Sequence, residues 1–165
     1  MILAPWRERT GIPTWGILGR QVGIHPRSRS LQEDPRRALT KTVATDLPAT
    51  HEHLQAALKE QGFGVLTEID LRATFDQKLG VEHEEHRILG VCNPRIAKDA
   101  LDASRDVALL LPCTATLRAT PAGTEVSILD PEHAFTLADD AVRERLAPLA
   151  ADAKERLGAA LEALG

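Results

Sequence analysis

Apolar and polar residues alternate from Leu39 onward: Leu39, Lys41, Val43 and Thr45 fall on one face and Thr40, Thr42 and Ala44 on the other, which predicts a strand near residues 39–46. Asp46-Leu47-Pro48 ends it. The period then lengthens. Leu47, Thr50, Leu54, Ala57, Leu58 and Gln61 recur at helical spacing, predicting a helix near 48–61 that Asp46 or Thr50 caps and Gly62 closes. A second strand is expected at 63–70, with Phe63, Val65, Thr67 and Ile69 on one face and Gly64, Leu66, Glu68 and Asp70 on the other. Leu71, Phe75 and Leu79 form a short helical face ending at Gly80.

Residues 86–92 read as a third strand, in which Gly90 marks the close approach of another backbone. Asn93-Pro94 is a strong local helix start, because Asn caps free backbone donors and Pro fits the first helical position. Ile96, Ala97, Ala100 and Leu101 supply the buried stripe of a helix over 94–103. The apolar run Val107–Leu111 continues through Pro112 into Cys113–Leu117. It predicts a strand near 107–118, with an edge or bulge at Pro112 or two segments joined there. Pro121-Ala122-Gly123 turns the chain into a hairpin partner at 124–129, and Asp130-Pro131 stops it. Thr136 and Asp139 have capping-box spacing, ahead of an apolar face from Val142 to Leu164. That face predicts helical structure over 137–164, with Pro148 kinking it or starting a second helix.

Met1–Arg37 shows no such periodicity and divides the chain into a basic N-terminal extension, 1–37, and a single α+β domain, 38–165. Trp15, Ile17 and Leu18 are its candidates for packing on the domain. The extension holds seven Arg against Glu8, Glu33 and Asp34, a surplus of four positive charges, so a net charge of −4 leaves the domain at −8. An acidic body excludes nonspecific nucleic-acid binding, which depends on neutralising phosphates. The longest apolar run covers seven residues, Val107–Cys113, too few to cross a membrane. With no secretory signal pattern at the start, a cytoplasmic location is expected. Aromatic residues make up 3% of the chain and Tyr is absent, so Leu, Val, Ile and Ala must build the core.

The chemistry concentrates in a few side chains. Cys92 immediately precedes the Asn93-Pro94 helix start, where free N–H groups and the helix dipole stabilise a thiolate or an anion. Cys113 lies 21 residues later, beyond an apolar segment, so a meeting of the two sulfurs is a tertiary matter. Two buried structural cysteines are the ordinary alternative. His83 and His86 stand among Glu82, Glu84 and Glu85, either as a wet acidic connector or as a source of metal nitrogens, with His86 the better candidate. Glu68 is expected to be partly buried and satisfied by Lys, Arg or backbone donors, with Lys78 a nearby candidate, and serves either a salt bridge or acid/base work. His51 and His53 are expected to face solvent. Gly62-Phe63-Gly64-Val65 lacks the spacing and the Lys-Ser/Thr ending of a phosphate loop.

Several motifs together resemble a bacterial and archaeal family known only as domain of unknown function 302. They are Gly62–Asp70, Lys78-Leu79-Gly80-Val81, Ile88–Pro94, Ala100-Leu101, Leu110-Leu111-Pro112-Cys113 and Asp130-Pro131. The resemblance covers about residue 38 to the C-terminus. It implies a small antiparallel sheet with helices largely on one face, of TATA-binding-protein-like topology, assembled as a homodimer; despite the fold label, it does not imply DNA binding. It draws attention to Glu68, Lys78, Cys92, Asn93 and Cys113, and it places an aromatic residue such as Tyr where His86 stands. No reaction comes with it. Two functions therefore compete. One is a module that binds a small anion or metabolite through Asn93, Lys78 and Arg87. The other is a thiol-centred redox or soft-metal site at Cys92 and Cys113, with His86 and Glu68 handling protons or, for His86, adding a metal nitrogen.

Overall fold

A computed structural model describes residues 37–165; the basic extension and its two Trp residues lie outside the described residues, apart from Arg37. Among the described residues, five strands form one antiparallel sheet: β1 Ala38–Val43, β2 Gly64–Asp70, β3 His86–Cys92, β4 Cys113–Thr120 and β5 Gly123–Leu129. Their spatial order is β1-β5-β4-β3-β2, with β1 and β2 at the edges. The helices are α1 Leu47–Glu60, α2 Leu71–Leu79, α3 Pro94–Ala103, α4 Pro131–Ala134 and α5 Asp140–Glu162. The chain thus has the expected α+β architecture.

Pairing register fixes the two faces. Leu89 lies opposite Ala115, and Ala115 opposite Ile128, so these three share one face. Together with Val91, Leu117 and Val126 they pack against Leu54 and Leu58 of α1 and Leu157 and Leu161 of α5. A second cluster joins Ala100 of α3, Val107, Phe135 and Leu146 and Ala150 of α5. No helix among the described residues is long and apolar enough to cross a membrane.

Local caps explain where the helices begin. Asp46, Asp70, Asn93 and Asp139 each accept backbone N–H bonds from the first turn that follows them. Asp139 bonds the amide of Val142, so α5 starts later than the expected 137 and runs continuously through Pro148. Ahead of it, α4 and a short 3-10 turn at Phe135–Leu137 occupy a stretch for which the sequence pattern predicts no element.

Two sequence expectations are corrected. Residues Arg105–Leu110 form a 3-10 helix, and the strand expected from 107 begins only at Cys113. A five-residue apolar run fits a strand or a helical turn equally well, and Ser104 decides it by accepting from the amide of Asp106. The second correction concerns β2. Val65 pairs with Val91 and Thr67 with Gly90, so Leu66 is an extra, bulged residue. The bulge reverses the alternation beyond it. Glu68 and Asp70 join Val65 on the helix-covered face, while Thr67 and Ile69 turn to the other.

Candidate functional site

The reversal caused by the Leu66 bulge aims Glu68 at the helix layer. Register sets Glu68 opposite Leu89 and Asp70 opposite Arg87, so Glu68 and Arg87 are diagonal neighbours on one face. Arg87 Nη1 donates to Glu68 Oε1 at 2.8 Å. From α1 above, His51 Nε2 stands 3.3 Å from the other carboxylate oxygen. Lys78 is therefore not the partner of Glu68. His51, expected in solvent, has a side chain only 13% exposed.

Beside this group opens a cavity of about 630 Å³, between the start of α1, α2, the 81–85 connector and the start of β3. Arg72, Arg87, His83 and His86 line it, as do Asp70, Asp76, Glu82 and Glu85. Both guanidiniums are already engaged by the protein. Arg72 donates to Glu85 at 3.0 Å and Arg87 to Glu68. Asp70 is half committed as well, since its Oδ1 accepts from the amide of Ala73. With Glu85 and Glu68 taken up by the two arginines, Asp70, Asp76 and Glu82 remain to give the cleft an acidic interior.

One wall of the cleft carries the two histidines. Their rings stack with centroids 5.9 Å apart, and Phe75 of α2 meets His83 edge-on at 5.0 Å. His83, Glu84 and His86 each place one potential ligand atom within 4.8 Å of the other two. His83 Nε2 is buried and has no hydrogen-bond partner among the described residues. Burial lowers the His86 pKa below 6.5, with Glu84 pulling the other way and His83 and Arg118 adding to the decrease. Arg118 is held chiefly by Glu125, at 2.9 Å, and lies 3.9 Å from Glu84.

The cysteines sit at the opposite end of β3. Cys92 and Cys113 line a common cavity of about 20 Å³ with Phe63, Asn93 and Ile96, so the fold does bring them together. Both are free thiols. Desolvation raises the Cys92 pKa, and burial with the neighbouring Cys92 raises Cys113 to about 11. Asn93 is 9% exposed, and its Oδ1 accepts from the amides of Arg95 at 3.1 Å and Ile96 at 3.3 Å. The donors expected to hold an anion or a thiolate are thus occupied by the cap itself. Arg87 lines the large cleft, Asn93 the small cavity, and Lys78 neither.

The family model "Domain of unknown function DUF302" matches residues 39–164. The chain belongs to the DUF302 family. A crystal structure of an uncharacterized conserved protein DUF302 from Bacillus stearothermophilus is similar at 30% identity and a TM-score of 0.69, covering 78% of this chain and 98% of that one. No curated protein matches the chain. DUF302 membership accounts for the fold and leaves the chemistry to be read from the site.

Sequence reasoning singled out Glu68, His83, His86 and Arg87 but missed His51, Arg72 and Asp76 as parts of the same region. Arg72 and Asp76 had a readable signal, since they are four apart on α2 and so share a helix face. His51 had none, because its meeting with Glu68 depends on the bulge at Leu66.

Proposed function

We propose that this DUF302 protein is a small-ligand-binding module and that its site is the acidic cleft between α1, α2 and β3. The observation that carries this reading is the convergence of Asp76 and Glu82 on a cavity whose two arginines are already paired with Glu85 and Glu68. A volume of about 630 Å³ suits a metabolite-sized molecule. The charge balance favours a ligand bearing an amine over a simple anion. An anion would have to displace an internal carboxylate from Arg72 or Arg87, whereas an ammonium group meets unengaged acceptors.

The test is a thermal-shift panel on metal-free protein, followed by calorimetry, comparing small amines and amino acids with phosphate, sulfate and carboxylates. The expected response is to amine-bearing compounds, weakened by Asp76→Asn and Glu82→Gln and retained in Asn93→Ala. A response to phosphate or sulfate that Asn93→Ala abolishes would instead place an anion site at the start of α3.

The second reading, a thiol-centred redox or soft-metal site, draws support from the shared cavity of Cys92 and Cys113. The upward displacement of both thiol pKa values weighs against it, because the thiolate is the reactive and metal-binding form.

A further inference from the structure

We propose that His83, Glu84 and His86 form a binding site for one divalent first-row transition ion, best matched by Zn²⁺, on the wall of the acidic cleft. The inference deepens the cleft reading and rests on it for the ion's remaining partner, a small molecule that carries, besides its ammonium group, a donor with a free lone pair such as the carboxylate of an amino acid, held in the space that His83 and His86 line.

The donor set comes first. Two imidazole nitrogens and one carboxylate oxygen are the ligands that borderline divalent ions prefer, whereas Ca²⁺ and Mg²⁺ call for oxygen-rich shells. Three protein ligands leave at least one position open, as in metal sites that also engage a small molecule. The three ligand atoms lie within 4.8 Å of one another. Ligands on a tetrahedral Zn²⁺, at bonds of about 2.0–2.2 Å, stand roughly 3.3 Å apart, so rotation of the three side chains closes the shell. His83 and Glu84 belong to a connector outside helix and strand, which lets the backbone follow.

An independent observation points to the same place. His83 Nε2 is buried without a hydrogen-bond partner among the described residues, although burying an unsatisfied polar atom costs stability. A metal ion satisfies that nitrogen directly. Phe75, T-shaped to the ring at 5.0 Å, and His86, stacked at 5.9 Å, flank the imidazole on this wall. Arg118 is the nearest competing cation for Glu84, but at 3.9 Å it holds it loosely, its main bond being to Glu125 at 2.9 Å. Glu84 is therefore free to turn to an ion.

The experiment is calorimetric titration of untagged, EDTA-treated full-length protein with Zn²⁺, alongside Co²⁺ absorption spectra. Expected is one Zn²⁺ per chain, with His83→Ala and His86→Ala each weakening binding by more than the roughly 10–100-fold that loss of an outer-shell partner costs. Glu84→Gln weakens it as well, while the Cys92→Ala/Cys113→Ala double variant binds as the wild type does. The Co²⁺ spectrum shows ligand-field bands without sulfur charge transfer. Histidine-ring NMR of the wild type, in which Zn²⁺ shifts the His83 and His86 signals, serves where a variant fails to fold. Absence of Zn²⁺ binding, or binding undiminished in the histidine variants with those ring signals unmoved, overturns the proposal. The amine panel on metal-free protein is read separately. A ligand response there without Zn²⁺ binding removes the metal and leaves the cleft reading standing. Zn²⁺ binding at these residues without any ligand response does the reverse.

Discussion

Arg87 and Glu68 are joined by a 2.8 Å ion pair that runs diagonally between neighbouring strands, because a single extra residue at Leu66 turns Glu68 toward the helices. The pair is partly exposed, 27% for the Arg87 side chain and 35% for that of Glu68, so solvent screens it. A double-mutant cycle with Glu68→Gln and Arg87→Gln in urea unfolding is expected to give a coupling of about 0.2–1 kcal/mol. A value near zero would mean that the pair orients the wall of the cleft without holding the fold together.

Gly90 is required by what faces it. A β-carbon there would come within 2.7 Å of Pro112 Cγ and would also collide with Thr67 Oγ1. The sequence suggested a close backbone approach at this position; the neighbours are in fact two side chains. Thr67 can rotate away, but the Pro112 ring is fixed to the start of β4. Gly90→Ala is expected to destabilise the protein by about 1–3 kcal/mol in denaturant unfolding. Restoration of stability by Pro112→Ala in the same background would identify the ring as the obstacle.

The difference between β3 and β2 shows which features a sequence exposes. The helix after β3 was readable to the residue, since Asn93 and Pro94 act on amides within three positions of themselves. The bulge in β2 was not readable. It depends on how Val65 and Thr67 register against Val91 and Gly90, and no local composition marks Leu66 as the residue left out. The pairing of Glu68 with Arg87 and His51 follows from that registration, so the site's polar frame was hidden even though its members had been noticed. The sequence left the meeting of Cys92 and Cys113 open, because it depends on how β3 and β4 pair across the intervening helix. Nor were their raised pKa values legible, since they come from burial of the thiols, which the helix start beside Cys92 does not reveal.

Lys154 and Asp130 link α5 to the end of β5. Asp130 is 1% exposed, and Lys154 Nζ lies 2.8 Å from Asp130 Oδ2 and 2.6 Å from Glu132 Oε2. Removing the lysine leaves a buried carboxylate without its cation. Lys154 is itself over a third exposed, which lowers the penalty below that of a fully buried pair, so Lys154→Met is expected to cost about 1–3 kcal/mol. Hydrogen bonds to Asp130 and then Glu132 raise the Lys154 pKa above 10.5. A raised lysine pKa contributes stability that is complete below the unfolded value and is lost as pH rises through the folded one. From neutral pH upward, thermal melts should therefore show the gap between wild type and Lys154→Met narrowing only above pH 10.5. A gap that closes near neutrality would assign the stabilisation to another group.

Cys113 offers the sharpest test of the thiol reading. Its pKa stands at about 11, against an ordinary 9.0. At pH 8 the folded protein should therefore hold roughly a hundredth of the thiolate that the unfolded chain holds at this residue. Iodoacetamide labelling of freshly reduced protein is expected to modify Cys113 at least about tenfold more slowly in the native state than in urea, with Cys92 slowed less. The stability consequence has a definite sign. An acid whose folded pKa is raised binds its proton more tightly when folded, so its contribution is complete below pH 9 and declines as pH climbs toward 11. Cys113→Ala should flatten that alkaline decline while leaving the slope below pH 9 unchanged. Labelling of native Cys113 at the denatured rate, or a Cys92 that labels rapidly at neutral pH and slows when Cys113 is removed, would restore a coupled, ionised thiol pair as the functional centre.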